Sequence, residues 1–164
     1  MAYNADDTMN GSTIVAYFSA SGVTARKAEV FAEAIGADIG EIVPAQRYTD
    51  ADLNYRDRSS RSSVEMNDPS SRPAVSSAPD ASGYDNVVIG FPVWWYTFPR
   101  IVSTYIESQD LSGKRIVLFA TSGGTRIDGC VDDMKKNYPE LDVIGGRLLN
   151  GDDAASMKGW FDSL

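Results

Sequence analysis

Apolar positions along this chain follow two alternating rhythms. Nearly continuous β-branched and aromatic runs occur at Thr13–Phe18, Ile39–Val43, Asn86–Phe91, Lys114–Ala120 and Asp142–Leu149, and they read as strands. Between them lie stretches with helical spacing: Val23–Ile35, Phe98–Glu107, Ile127–Tyr138 and Asp153–Leu164. In the first of these, Ala28, Phe31, Ala32 and Ile35 share one face, and Gly36 stands where a closing glycine belongs. In the last, Met157, Trp160, Phe161 and Leu164 do the same. Continuous apolar strands are buried on both faces, and alternating helices supply the cover. The pattern therefore predicts a three-layer, doubly wound α/β fold around a parallel sheet of five strands.

One region breaks the rhythm. From Pro44 to Asp85 the chain is polar and rich in Ser, Arg, Asp and Pro. A helix is expected over Tyr48–Glu65, capped by Asp50 or Asp52, followed by an extended or irregular loop over Asn67–Ser82. That loop is either a lid beside the third strand or simply mobile. Residues 1–11 are expected to be a tail, and residues 12–164 one domain.

In such a sheet, ligands bind beyond the carboxyl ends of the strands. The first strand ends in Ser19-Ala20-Ser21-Gly22-Val23-Thr24 and feeds a helix at once. Its free N–H groups and helix dipole make an anion site, or else the segment is merely a well-capped first helix. The third strand ends in Pro92-Val93-Trp94-Trp95-Tyr96-Thr97, and the fourth in Thr121-Ser122-Gly123-Gly124-Thr125. Three consecutive aromatics in one loop serve a flat ligand, or one or two of them plug the domain edge. The glycine loop lets backbone approach such a ligand closely. A planar heteroaromatic carrying a phosphate monoester suits all three ends.

Composition narrows the chemistry. The 164 residues include no histidine and one cysteine, Cys130. Ser-His-Asp and Cys-His catalysis, His-ligated zinc, an intrachain disulfide and a paired-cysteine redox motif are thereby excluded. Cys130 is expected to be buried and inert, so redox chemistry would need a bound cofactor. The formal net charge of −8 argues against nucleic acid and suits solubility or a basic protein partner. No run is long enough for a membrane span, and the polar, acidic start lacks the features of a secretory signal. A cytoplasmic location is expected.

The segments A-Y-F-S-A-S-G-V-T, G-F-P-V-W-W and F-A-T-S-G-G, in this order, resemble the flavodoxin family. The resemblance runs from about Ser12 to the C-terminus. It implies strand order 2-1-3-4-5 with FMN at the switch point, the arrangement for which flavodoxin is itself a standard example. Ser19, Ser21, Gly22, Val23 and Thr24 would hold the phosphate. Pro92, Val93, Trp94, Trp95 and Tyr96 would flank the ring, with the two indoles as stacking candidates. Thr121, Ser122, Gly123 and Gly124 would reach its pyrimidine edge. Stacked indoles and an acidic surface would lower the flavin's reduction potential.

Three positions depart from the family pattern. Ser21 stands where Thr is more frequent and keeps the hydroxyl. Val23 replaces the more frequent Asn, which implies weaker phosphate binding. Tyr96 replaces a frequent Gly and makes positive φ less accessible there, which weighs against stabilising a one-electron-reduced flavin. The resemblance implies an electron-transfer flavodoxin with basic redox partners. The alternatives are an FMN-dependent NAD(P)H:quinone or nitro-compound reductase and a flavin-free interaction module.

Overall fold

The computed structural model describes residues 11–122 and 124–164. Five parallel strands form one sheet in the order β2-β1-β5-β6-β7, namely Asp38–Glu41, Thr13–Tyr17, Asn86–Pro92, Arg115–Thr121 and Asp142–Leu148. Counting only these five, the order is 2-1-3-4-5, as the resemblance to the flavodoxin family implies. The central strands β5 and β6 are buried almost throughout, whereas the edge strand β2 is half exposed. That is why β5 and β6 carry the longest apolar runs.

Alternate side chains enter opposite layers. Val87, Ile89 and Phe91 face helices α3 (Arg100–Ser108) and α4 (Asp128–Asn137), packing with Val102, Ile106, Cys130 and Met134. Val88, Val117 and Phe119 face α1 (Val23–Ile35) and α5 (Ala154–Asp162), packing with Phe31, Met157 and Phe161. Fully burying one such large side chain stabilises the fold by about 1.5–3 kcal/mol. Gly90 has a packing reason: a Cβ there would lie 2.0 Å from the Phe119 ring, which crosses β5 at that point.

The helix expected over Tyr48–Glu65 does not form. The segment runs through turns to Ser60, and only then does the short helix α2 (Arg61–Asn67) begin. Local side-chain bonds defeat the longer helix. Thr49 and Asp52 bond each other's backbone N–H groups reciprocally. Asn54 Oδ1 accepts from Arg56 N–H, and Asp57 Oδ1 from Ser59 N–H. Such bonds offer the backbone an alternative to helix. The Ser60 hydroxyl, not Asp50 or Asp52, caps α2. Within the irregular stretch that follows, β4 (Val75–Ser77) pairs antiparallel with β3 (Val43–Pro44). The expected N-terminal tail lies almost wholly outside the described residues. Among the described residues no helix is long and apolar enough to cross a membrane.

Candidate functional site

Sheet register sets the site. Tyr17 pairs with Gly90, Phe91 with Ala120 and Pro92 with Thr121, so the turns after β1, β5 and β6 emerge side by side.

The first turn is built on Ser19 and Gly22. Gly22 adopts φ 94°, a conformation that costs any residue with a Cβ, and α1 begins at the next residue. The Ser19 hydroxyl accepts from Gly22 N–H and Ala25 N–H, both at 3.1 Å. Of the first-turn donors of α1, those of Val23 and Thr24 have no intrahelical partner. Thr24 is buried, and its hydroxyl pairs with that of Thr121 at 2.8 Å, fastening this turn to β6. Ser19 caps the first turn of the helix, and the N–H groups of Val23 and Thr24 lie beside exposed Ser21, at a helix end whose dipole favours anions.

The second turn is strained. Trp94 and Thr97 exchange two backbone hydrogen bonds of 2.9 Å, and between them Trp95 has φ 47° and Tyr96 φ 66°. Both central residues of this two-residue turn are left-handed, a geometry normally given to Asn and Gly. For residues with a Cβ it costs about 1 kcal/mol each. The expectation that tyrosine would avoid positive φ at 96 is thus corrected: closure of the turn by the Trp94–Thr97 pair overrides the local preference.

Gly129, in the first turn of α4, leaves room for this geometry. A Cβ on Gly129 would fall 2.7 Å from the Tyr96 carbonyl oxygen. The three aromatics separate by environment. Trp94 is half-buried, its ring edge-on to Phe18 at 5.6 Å and Tyr48 at 5.4 Å. Trp95 is 38% exposed and Tyr96 75%.

The third turn is organised by Ser122, whose hydroxyl accepts from Gly124 N–H (3.1 Å) and Thr125 N–H (2.7 Å). Asn150, just past β7, accepts from Ser122 N–H at 3.0 Å and donates to the Ser122 carbonyl. The Thr121 carbonyl takes Val93 N–H, tying the second turn to the third. The predicted site residue Gly123 lies outside the described residues.

Three cavities surround these turns. One of about 350 Å³ joins Ser21, Val23, Pro92, Val93, Trp94, Thr121, Ser122 and Asn150. A second of about 570 Å³ lies between Tyr96, Gly124, Thr125 and the start of α4, including Gly129. A third of about 400 Å³ lies between Trp94–Tyr96 and the 53–62 segment. Sequence reasoning missed Asn150, although it follows a strand end like the others. It also missed Leu53, Tyr55 and Ser62, hidden in a stretch with no periodicity.

The 48–65 segment is pinned by charge. The Tyr48 hydroxyl donates to Glu65 Oε1 at 2.5 Å, and the Arg61 guanidinium binds Glu65 at 2.9 Å. The same guanidinium lies 3.8 Å over the Tyr48 ring. Burial first, then the Glu65 carboxylate, pushes the Tyr48 hydroxyl far up, so it stays protonated. Cys130 is buried, and desolvation pushes its thiol up to about 12, leaving it an inert thiol as expected. Among the described residues no cluster of acidic, His or Cys side chains could hold a metal. The described residues bring together helix N-terminal N–H groups, a flat aromatic surface and backbone groups at these turns.

Comparisons with known proteins agree with this fold. A family model described as flavodoxin matches residues 12–164. A candidate flavoprotein of Bacteroides eggerthii is 50% identical, with 94% of this chain and 98% of that one covered and a TM-score of 0.91. Another, from Bacteroides uniformis, is 49% identical over 92% of this chain and 97% of that one, with a TM-score of 0.88. A Lactobacillus acidophilus flavoprotein solved in complex with FMN shares the fold at 23% identity, with coverages of 92% and 99% and a TM-score of 0.71. Among curated proteins none matches. With the family match spanning nearly the whole chain, this protein belongs to the flavodoxin family.

Proposed function

We propose that this chain binds FMN non-covalently and carries electrons through it. The observation that carries the reading is the 350 Å³ cavity, because residues from all three sequence motifs line it together. The open N–H groups of Val23 and Thr24 would hold the phosphate, with Gly22 giving the turn its shape. Pro92, Val93, Thr121 and Ser122 would border the ribityl chain. Trp95 and Tyr96 present the exposed ring surface, and Gly124, with no heavy atom near its missing Cβ, allows close approach of the ring edge. Bound there, FMN would supply one- and two-electron transfer. Family membership supports this reading, as does the FMN complex of a protein with the same fold.

The carrier role rests on what the turns lack. Among the described residues no acid–base pair lines the 350 Å³ cavity, and electron transfer needs none. The net charge of −8 suits steering toward basic redox proteins in the cytoplasm. The second reading is an FMN-dependent reductase, favoured by the additional 400 Å³ cavity beside the aromatic turn.

Purified protein mixed with FMN and passed through a desalting column tests the first reading. A yellow protein peak with quenched flavin fluorescence is expected. A colourless peak refutes it and leaves the flavin-free interaction module. Rapid NADPH oxidation with a quinone, without an added reductase, moves the assignment from carrier to reductase.

A further inference from the structure

We infer that the cavity of about 400 Å³ between the 53–62 segment and the aromatic turn is a binding site for a second ligand, a neutral planar ring compound bearing a carbonyl group. The inference deepens the FMN reading and rests on it for the position of the flavin ring. Two cavities meet at Tyr96 and Thr125. Gly124, the described glycine of the Thr-Ser-Gly-Gly segment, lines the larger and not the smaller. A flavin ring whose edge meets that backbone fills the larger cavity and leaves the smaller one open.

The chemistry of the smaller cavity selects its occupant. Its walls are Leu53, Tyr55, Val93 and the aromatic turn, with Ser62 and Thr125 as the other polar members. Among the described residues no charged side chain lines it, so a phosphate-bearing nucleotide finds no counter-charge there. Flat aromatic walls favour a planar apolar body.

Ser62 supplies the polar contact. The residue is 1% exposed, and its hydroxyl has no hydrogen-bond partner among the described residues. A buried polar group left in this state is costly and rare. Its neighbours are already committed. Ser60 and Ser63 bond each other, and Arg61 and Tyr48 both bind Glu65. The Ser62 backbone is fixed by its N–H bond to the Asp52 carbonyl at 3.0 Å. A ring carbonyl is the simplest group that accepts the remaining proton.

Duroquinone is a suitable probe: it is neutral and planar, has two carbonyls, and its fully methylated ring resists addition of the Cys130 thiol. Calorimetric titration into the FMN-loaded protein should give one-to-one binding with no release of FMN. Ser62→Ala should weaken that binding about fivefold, the effect of one hydrogen bond. Its urea midpoint should not fall, because no protein hydrogen bond is lost. Leu53→Glu, which places a charge in the wall, should weaken binding more than tenfold.

The inference is overturned if duroquinone displaces FMN, if it does not bind, or if Ser62→Ala binds it as well as the wild type. Should the wild-type protein take up no FMN, the cofactor reading fails separately. Duroquinone binding to the flavin-free protein, with or without loss in Ser62→Ala, then decides the cavity on its own.

Discussion

The turns after β1 and β5 stand side by side, yet they reach positive φ by opposite means. After β1 the left-handed position is a glycine, Gly22, and a single hydroxyl, Ser19, ties the turn to its helix. After β5 the left-handed positions are Trp95 and Tyr96, and the conformation is imposed from outside. Trp94 is clamped by Phe18 and Tyr48, Thr97 closes the turn, and Gly129 leaves room for the Tyr96 carbonyl. The first turn is locally determined and relaxed. The second is determined by tertiary contacts and holds strain where a flat ligand would lie.

This contrast can be broken most sharply at Gly129. Gly129→Ala forces a Cβ to within 2.7 Å of the Tyr96 carbonyl unless the turn moves. FMN affinity, read by fluorescence quenching, should fall at least tenfold, although alanine is the better helix former by about 1 kcal/mol. Unchanged affinity would show that the aromatic turn does not depend on α4.

Ser19→Ala tests the other turn. It should lower the stability of flavin-free protein by about 1 kcal/mol in urea, as loss of a helix cap does. Excess FMN should shrink the deficit, since the ligand's phosphate can meet the freed N–H groups. An undiminished deficit would separate the cap from the anion site.

Tyr96→Gly should raise the stability of the flavin-free protein by up to about 1 kcal/mol, because glycine accepts φ 66° without a Cβ penalty. A loss of stability would mean that the exposed ring contributes more than its backbone costs. The smallest effect is expected from Val23→Asn. The added side-chain donor beside the phosphate should tighten FMN binding by a few-fold, a fraction of the usual hydrogen-bond contribution. Weaker binding would show that the backbone donors already saturate the site.

The same contrast explains what was legible in the sequence. Strands and helices whose apolar spacing matches their burial, such as Asn86–Pro92 and Val23–Ile35, were readable to within a residue or two. So was the turn after β1, because Ser and Gly announce their roles locally. The helix expected over Tyr48–Glu65 forms only from Arg61, since Asx-type bonds at Asp52, Asn54 and Asp57 compete with helix without changing composition. Positive φ at Tyr96 was hidden because turn closure by Trp94 and Thr97 overrides the residue's own preference, and the room for its carbonyl comes from Gly129, some thirty residues away. Asn150 and Ser62 escaped for the same reason: each acts through a partner or a gap distant in the chain.

On the proposed reading, the turns at the strand ends hold one FMN by its phosphate. Parallel titrations of the flavin-free protein with FMN and with riboflavin, which lacks only that phosphate, test it most directly. The account predicts quenching by both, with FMN bound at least tenfold more tightly. Equal affinity for the two, or no quenching of FMN, would contradict it.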